Sequence, residues 1–224
     1  MQKKVMIIGG SPCSGKSTAA ERLAAEFGAC RYQADDHLEE LIRMAADRGK
    51  PACRSVLSMS SDEIWMRDPE IQCREEFQIY REIAPDVFRG VDAIEAELIV
   101  AEGAAFTPEV VKAYGAGRYL AIIPTPEFQT ARYRERQWVS RILADCSDKA
   151  AAFHNWMRRD ILFAVQVEAE CAAMGIPCIV NDGSMSVDRL YQRVKQLLDL
   201  SQKTGQEQEE KNPSACCQRG KEQI

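Results

Sequence analysis

Residues 7–27, IIGGSPCSGKSTAAERLAAEF, decide the fold of this chain, because they join an apolar run to an amphipathic stretch through a loop bounded by glycines. Positions 10–17 match the pattern G-x-x-x-x-G-K-[ST]. In such loops the backbone N–H groups curl around an anion, and the following helix directs its positive dipole end toward the same charge. The lysine reaches the β- and γ-phosphates of a nucleotide, and the hydroxyl residue after it binds Mg²⁺. The predicted phosphate-binding residues are Gly10, Ser11, Pro12, Cys13, Ser14, Gly15, Lys16, Ser17 and Thr18.

The rest of the chain alternates short apolar runs with helical patterns. Strands are predicted at 4–8, 30–34, 97–101, 118–123 and 176–180. After the loop, apolar residues recur at helical spacing up to Gly28, which is placed to end that helix. A later helix is expected to bury Leu162, Val165, Ala169 and Ala172 on one face and to end at Gly175. This alternation predicts an α/β fold in which a parallel sheet is covered on both faces.

Length and composition indicate one globular domain. The chain has 224 residues, of which 46% are hydrophobic and 28% charged, and its net charge is −5. This balance predicts neither a nucleic-acid partner nor a membrane partner, and no apolar run reaches the roughly 20 residues that span a bilayer. Nine cysteines lie at spacings that suit neither zinc nor a disulfide framework, and the N-terminus leads directly into a strand. Both features predict a cytoplasmic protein with reduced thiols.

Several classes of phosphate-loop protein lack support in this sequence. A GTPase needs an N-K-x-D element and a D-x-x-G switch, a transporter ATPase needs a motif like L-S-G-G-Q, and none of these occurs. The chain resembles P-loop kinases of the nucleoside and nucleotide kinase type, a group that includes shikimate, gluconate and uridine kinases. The resemblance covers about residues 1–198 and implies a five-stranded parallel sheet in the order 2-3-1-4-5, with ATP and Mg²⁺ as ligands.

The same resemblance implies how the domain is divided. A kinase domain spans 1–200, with an acceptor-binding helical insertion at about 37–95 and an arginine-bearing lid at about 127–147. The insertion pattern is interrupted at Gly49–Lys50–Pro51 and at Asp68–Pro69. Residues 201–224 are polar and nearly free of apolar side chains, so they are expected to form a disordered tail outside the resemblance.

Three carboxylates follow predicted strands and are candidates for the chemistry. The register Gln33-Ala34-Asp35 looks like that of uridine-type kinases, which makes Asp35 the expected catalytic base, with Asp36 as the substitute. A plain alternative is that Asp36 caps the next helix. Glu102 ends the third strand at the sheet edge where ligands gather, and with Ser17 and Asp35 it forms the predicted Mg²⁺ set.

Arginines dominate the expected lid. The stretch contains Arg132, Arg134, Arg136 and Arg141. Because Arg132 and Arg136 stand at i and i+4, they are expected to share one face of a helix over 127–143 and to stabilise the charge of phosphoryl transfer beside Lys16. A solvated charged helix is the alternative. Arg158-Arg159-Asp160 could supply a further clamp. Asp182, after the fifth strand, is expected to contact ATP, although a plain turn would have the same sequence.

The insertion should determine the acceptor, which the sequence does not name. Its arginines suit an acceptor carboxylate or phosphate, and Trp65 or Tyr80 could stack on a ring. These arginines are Arg43, Arg48, Arg54, Arg67, Arg74 and Arg81. The function predicted first is an ATP-dependent kinase of a small hydroxyl-bearing or phosphorylated metabolite. The alternative is a nucleotide-binding regulatory protein without turnover.

Cys13 lies in the middle of the phosphate-binding loop. Converging N–H groups, a nearby helix start and Lys16 make its surroundings electropositive, which favours a thiolate. The sequence therefore predicts that alkylation of Cys13 inactivates the protein and that Mg-ATP protects it.

Overall fold

The computed structural model describes residues 3–115 and 117–200. They form a five-stranded parallel sheet in the order β2-β3-β1-β4-β5. The strands are β1 Lys4–Gly9, β2 Cys30–Gln33, β3 Leu98–Glu102, β4 Arg118–Pro124 and β5 Cys178–Asn181. The predicted fold class and strand order are confirmed. The tail predicted at 201–224 lies outside the described residues.

Ten α-helices and one short 3₁₀ helix accompany the strands in the described part of the chain. The helices are α1 Lys16–Phe27, α2 Leu38–Asp47, α3 Pro51–Ser58, α4 Ser61–Trp65, α5 Pro69–Asp92, α6 Pro108–Tyr114, α7 Pro126–Arg134, α8 Gln137–Ile142, α9 Lys149–Met174 and α10 Val187–Leu197; the 3₁₀ helix is Ala34–His37. Within the described residues, none of these helices combines the length and apolar character needed to cross a bilayer.

Local sequence signals set the helix ends where they were expected. Gly28 and Gly175 end α1 and α9 in the left-handed conformation, with φ of 62° and 67°. Ser186 caps α10 by accepting a hydrogen bond from the Arg189 N–H. The predicted breaks in the insertion are also present, since α3 and α5 both begin at a proline.

The sheet separates two apolar layers because side chains alternate along each strand. On one side, Ile7 packs with α5, α6 and α9 through a large cluster that includes Phe77, Phe106 and Phe163. On the other side, Met6 and Ile8 pack with α1 and α10. The result is three layers, helix, sheet and helix, in which the carboxyl ends of the strands point to one edge.

The lid region differs from the expected single helix. Helix α7 ends at Arg134 and α8 begins at Gln137, so Arg136 lies in the break between them. The break has a packing cause: Tyr133 is buried and its hydroxyl donates to Asp160 of α9. Helix α8 then folds back, and its Val139 joins Trp156 in a third apolar cluster.

Helix α9 buries a face other than the predicted one. Its buried side chains include Trp156, Phe163, Val167 and Cys171, whereas Val165 is 58% exposed. Phe163 stacks on Phe77 of α5 with ring centroids 4.6 Å apart. The predicted face of Leu162, Val165, Ala169 and Ala172 is wrong because α9 is wedged between α5 and the sheet, and these partners select the face.

Candidate active site

The phosphate-binding loop connects β1 to α1 at the carboxyl edge of the sheet. Gly10 and Gly15 have φ of 114° and 98°, a region that favours glycine. A Cβ on Gly10 would lie 2.0 Å from the Ile122 carbonyl oxygen of β4, so the loop approaches this strand too closely for any side chain. Lys16 is only 5% exposed, and its Nζ donates to the Ser11 carbonyl at 2.8 Å. The ammonium is therefore held within the loop, where phosphates would bind.

Two buried amides hold the outer side of this loop. Gln129 Nε2 in α7 donates to Ser11 Oγ at 2.9 Å and to the Pro12 carbonyl at 3.0 Å. Asn181 Nδ2 at the end of β5 donates to the Ser14 carbonyl at 2.9 Å. With the carbonyls held outward, the N–H groups of the loop remain free to point inward. Neither role is evident from the sequence, since no local pattern distinguishes Gln129, and the only cue for Asn181 is its position after a strand.

A cavity of about 490 Å³ opens beside the loop, a volume within the range of ligand pockets. Its lining includes the predicted residues from Cys13 to Thr18. The lining also includes the apolar side chains of Phe128 of α7 and of Val187 and Leu190 at the start of α10. The cavity thus pairs a cationic loop with apolar side chains, which suits a nucleotide with its phosphates at one end and its base at the other.

Asp182 has a local structural contact rather than a place in this lining. Its carboxylate accepts hydrogen bonds from the backbone N–H and the hydroxyl of Ser184, at 2.9 and 2.6 Å. Asn181 and Gly183 line the cavity on either side of it. Gly183 fits only because it lacks a Cβ, which would meet the Phe128 ring at 2.6 Å. The geometry therefore favours the turn alternative for Asp182, and its neighbours Asn181 and Gly183 are the residues that line the cavity.

Glu102 is the buried acid of the site. It is 1% exposed, and its Oε2 has no hydrogen-bond partner among residues 3–115 and 117–200. Burial raises the pKa of Glu102, the charge of Lys16 opposes this rise, and the charge of Asp35 adds to it. The Ser17 hydroxyl also contacts this carboxylate. A buried carboxylate oxygen without a hydrogen-bond partner, next to a hydroxyl, is suited to binding a hydrated Mg²⁺ ion. Without a bound cation, the same oxygen would remain buried and unpaired.

Mg²⁺ would have to arrive together with phosphates. No cluster of three or more His, Cys, Asp or Glu side chains that could hold a metal exists among the described side chains. This is the usual arrangement for Mg²⁺, which keeps several waters and takes one or two protein ligands plus substrate phosphates. Ser17 and Glu102, with Asp35 reaching through water, fit that role.

Asp35, rather than Asp36, is held against the segment that follows β3. Asp35 Oδ1 accepts a hydrogen bond from the Ala104 N–H at 3.0 Å, and a Cβ on Gly103 would come within 2.9 Å of the same oxygen. Gln33 pairs with Glu102 across β2 and β3, which brings Asp35 and Glu102 to adjacent strand ends. Asp35 and Asp36 are both exposed, and Asp36 does not cap α2, whose cap residue is His37 without a side-chain hydrogen bond.

Arg132 and Arg136 both line the cavity, but the predicted reason is wrong. They do not share a helix face, because Arg132 lies in the last turn of α7 and Arg136 lies in the break after it. Arg132 lies over the Phe128 ring at 5.1 Å and pairs with Glu135 at 2.8 Å. The Arg136 guanidinium lies 5.7 Å from the Trp138 ring centroid. Arg134 and Arg141 are exposed and are not part of the lining.

Arg159 is bound elsewhere and is not a free phosphate clamp. Its Nε donates to Asp160 Oδ1 and its Nη1 to Glu76 Oε2, both at 2.7 Å. Asp160 accepts a further hydrogen bond from the Tyr133 hydroxyl at 2.7 Å. Arg158, by contrast, is exposed. Since Arg159 already has two carboxylate partners, the predicted clamp would require it to give up a buried ion pair.

The predicted acceptor-stacking rings are already packed. Trp65 stacks on Trp156 with centroids 4.5 Å apart, and the Arg159 guanidinium lies 5.4 Å from its ring centroid. Tyr80 is 4% exposed, packs edge-on against Phe163, and donates its hydroxyl to Glu76 at 2.6 Å. The stacking role is wrong for Tyr80, whose ring is part of the core.

Most insertion arginines also have carboxylate partners. The pairs are Arg43 with Glu39, Arg48 with Asp86, Arg67 with Glu75 and Arg81 with Glu109. Arg54 and Arg74 are exposed. Four of the six insertion arginines that the sequence offered to an acceptor anion are therefore paired with carboxylates, three of them within the insertion and Arg81 with Glu109 of α6.

Cys13 does not have the predicted thiolate character. Burial raises the pKa of its thiol, and the positive charges of Arg136 and Lys16 only partly offset this effect. Asp160, which the sequence did not place nearby, acts in the same direction as burial. Cys13 also adopts φ of 62°, a conformation uncommon for a residue with a Cβ. The prediction of an activated thiol is wrong because desolvation outweighs the local positive field.

Comparison with known proteins extends the fold assignment. No family model matches this chain, and no curated protein matches it by sequence. A shikimate kinase from Bacteroides thetaiotaomicron superposes with a TM-score of 0.50 over 88% of this chain and 99% of its own, at 15% identity. A shikimate kinase from Acinetobacter baumannii in complex with shikimate covers 91% of this chain and 97% of its own, at 16% identity and a TM-score of 0.46. With the strand order, the first of these shows that the chain has a P-loop kinase fold of the shikimate and gluconate kinase type.

Proposed function

We propose that this protein is an ATP-dependent phosphotransferase that moves the γ-phosphoryl group to a small metabolite, nucleoside or nucleotide. The observation that supports it best is the meeting of Lys16, Glu102 and Asp35 at the ends of three adjacent strands. A protein that only binds nucleotide needs a phosphate loop but no acid in front of it. The regulatory alternative is therefore the weaker one.

The chain's own residues would act first by binding and orienting ATP. Backbone N–H groups of the loop and the start of α1 bind the phosphates. Lys16, held at the Ser11 carbonyl, is in reach to exchange that contact for a phosphate oxygen. Arg132 and Arg136 extend from the lid region into the same cavity, where their charges would stabilise the equatorial oxygens of the transferred group.

Magnesium fits the donor set described above. When bound, Mg²⁺ would neutralise the charge of the phosphate groups. Ser17 and Glu102 would hold it, with Asp35 reaching through water. This use explains why a glutamate is kept buried with an unpartnered oxygen, an arrangement that costs stability unless a cation is bound.

Asp35 would act on the acceptor. Its Oδ1 is positioned by the Ala104 N–H, which leaves the other carboxylate oxygen to accept the proton of an acceptor hydroxyl. The acceptor oxygen then forms a bond to the γ-phosphorus, the bond from that phosphorus to the β-phosphate oxygen breaks, and ADP leaves. The close approach requires Gly103, because any Cβ there would meet Asp35.

The test is a screen for acceptor-dependent ADP release with Mg-ATP, using sugars, nucleosides, nucleotides and small acids. We expect at least one acceptor to raise ADP formation above the rate with water alone. With that acceptor, Asp35→Asn should lose on the order of 10²-fold or more in turnover while still binding Mg-ATP. Asp36→Asn is the matched control and should keep the parent rate. Turnover that survives Asp35→Asn, or is lost only in Asp36→Asn, would contradict the assignment.

A further inference from the structure

Two cysteines face each other where the long helix α9 turns into β5, the strand at one edge of the sheet. Cys171 lies near the end of α9, and Cys178 is the first residue of β5. Their side chains share a hydrogen bond in which the Cys171 thiol donates to the sulfur of Cys178. Nothing in the spacing of the two residues marks them as a pair, so only the fold reveals this contact.

The backbone turn between them brings the two side chains together. Gly175 ends α9 in the left-handed conformation, and the Ile176 N–H donates to the Cys171 carbonyl at 2.9 Å. In a helix end of this kind, the residue that donates packs beside the helix residue that accepts, so Ile176 lies next to Cys171. Side chains alternate along an extended segment, and Cys178 therefore follows Ile176 onto the same face of the sheet. Both pack against the apolar cluster to which Cys171 belongs.

The two thiols differ in exposure and in acidity. Cys171 is 1% exposed, whereas Cys178 is half-buried. The hydrogen bond from Cys171 lowers the pKa of Cys178, although burial and the charge of Glu168 oppose this effect. The same hydrogen bond, together with burial, raises the pKa of Cys171. Cys178 is therefore the sulfur that a dissolved oxidant can reach as a thiolate, and Cys171 is a second thiol held beside it.

The turn has room to move as the two sulfurs approach. A disulfide needs sulfur atoms about 2.05 Å apart, so the pair must come closer together than a hydrogen bond allows. Ala172, Ala173 and Gly175 are exposed. A Cβ on Gly175 would meet no atom of the described chain within 4 Å. The surrounding structure therefore does not oppose a small adjustment of this turn.

We propose that Cys171 and Cys178 form a redox-modification site that a peroxide converts into a reversible disulfide. This inference goes beyond the proposed function and does not depend on it. The disulfide would join the end of α9 to β5. Because a sulfinic acid forms irreversibly, capture of the first oxidation product by Cys171 would also keep Cys178 recoverable.

The oxidation has two steps. The Cys178 thiolate attacks one oxygen of hydrogen peroxide and the O–O bond breaks, which leaves a sulfenic acid on Cys178 and a hydroxide that takes up a proton to form water. The sulfur of Cys171 then attacks the sulfur of Cys178 and gives up its proton, the S–O bond breaks, and a second water leaves. The two thiols together lose two electrons, and these reduce one peroxide to two waters.

The first test counts thiols in one peptide. Trypsin cleaves after Arg159 and Arg189, so Cys171 and Cys178 lie in the peptide 160–189 with no other cysteine. The reduced full chain is treated with hydrogen peroxide, denatured, alkylated with N-ethylmaleimide, digested and analysed by mass spectrometry. We expect this peptide to lose two hydrogen atoms and both alkylation sites, and dithiothreitol to restore both sites. Two alkylated cysteines after peroxide, or thiols that dithiothreitol does not restore, would overturn the proposal.

Cys73 provides an internal control in the same digest. It is 5% exposed and is the single cysteine of the tryptic peptide 68–74. We expect Cys73 to remain alkylated at the peroxide dose that closes the pair. Equal loss of alkylation at Cys73 would overturn the proposal, because the oxidation would then not be selective for the two facing thiols.

The second test separates the roles of the two sulfurs. In Cys171→Ala no partner thiol remains, so peroxide should leave a sulfenic acid on Cys178 that dimedone traps. In Cys178→Ala the buried Cys171 should stay without dimedone. Equal dimedone labelling in the two variants, or labelling of Cys171 alone, would overturn the proposal that Cys178 reacts first. If Cys171→Ala does not fold, the peptides 160–189 and 68–74 of the parent protein decide.

Discussion

Gln129 provides a sharp test of how the phosphate loop is held, because this residue would not be chosen from the sequence. Its side chain is 1% exposed, and Nε2 donates both to Ser11 Oγ and to the Pro12 carbonyl. The change Gln129→Leu keeps the side-chain size similar and removes both hydrogen bonds. The matched control is Gln137→Leu, at an exposed glutamine of the same lid region.

The expected magnitude follows from the groups left behind. The Ser11 hydroxyl keeps a partner, because it donates to the Asp160 carbonyl. The Pro12 carbonyl loses its partner, and a buried polar group without one costs about 1–3 kcal/mol. Gln129 Oε1 has no partner of its own among the described residues, so its removal offsets part of the loss of the second hydrogen bond. We therefore expect the free energy of unfolding to fall by ~1–3 kcal/mol.

Nucleotide binding should weaken as well, because a freed Pro12 carbonyl can turn toward the phosphates. Urea unfolding with and without a Mg-nucleotide measures both effects, since ligand stabilisation depends on the dissociation constant. We expect the nucleotide Kd to rise by about tenfold in Gln129→Leu and to stay at the parent value in Gln137→Leu. If Gln129→Leu matches the control in both stability and Kd, the proposed support of the loop is refuted.

Three further predictions concern the site. Lys16→Met should abolish turnover while leaving the melting temperature near that of the parent, because the ammonium faces the loop; retained turnover would contradict its role. Glu102→Gln should raise the free energy of unfolding at pH 7 and remove the Mg²⁺ dependence of nucleotide binding in calorimetry. Because burial raises the pKa of Glu102 above its ordinary value of 4.5, the stability cost of its charge builds up as pH rises from 4.5 to the folded-state pKa and is complete above that pKa. The stability gain should therefore vanish as pH falls below 4.5, and a gain that persists there would count against this cause. The rate of iodoacetamide labelling of Cys13, followed by mass spectrometry with a Cys13→Ala control, should still increase with pH above 9.0, the ordinary thiol pKa. A labelling rate that levels off by neutral pH would instead support the thiolate predicted from the sequence.

The fold could be predicted well because its signals are local. The glycine-bounded loop places a strand before it and a helix after it, and the other strands are short apolar runs bounded by turns. Their ends were off by no more than two residues, as at β5, which was predicted from 176 and begins at Cys178. The helix ends at Gly28 and Gly175 were likewise encoded by single residues.

The parts that were missed depend on contacts distant in sequence. Gln129 meets the phosphate loop across 118 positions, and Arg159 meets Glu76 across 83. The break in the lid region has the same origin, since Tyr133 turns inward to Asp160 instead of continuing a surface helix. The insertion arginines suggested an anionic acceptor because their carboxylate partners were not evident in the sequence; Arg48 and Arg81 pair with carboxylates 38 and 28 positions away.

The central claim is that the γ-phosphoryl group passes to an organic acceptor, and ATP labelled with ¹⁸O in its γ-phosphoryl group tests it most directly. The parent protein is incubated with Mg²⁺, this ATP and an acceptor found in the screen, and the products are analysed by mass spectrometry. We predict that the label appears in a phosphate ester of the acceptor in equal amount to the ADP formed, and that Asp35→Asn forms neither. Label found only in inorganic phosphate at a rate independent of the acceptor, or ATP that stays intact in the presence of bound acceptor, would contradict the account.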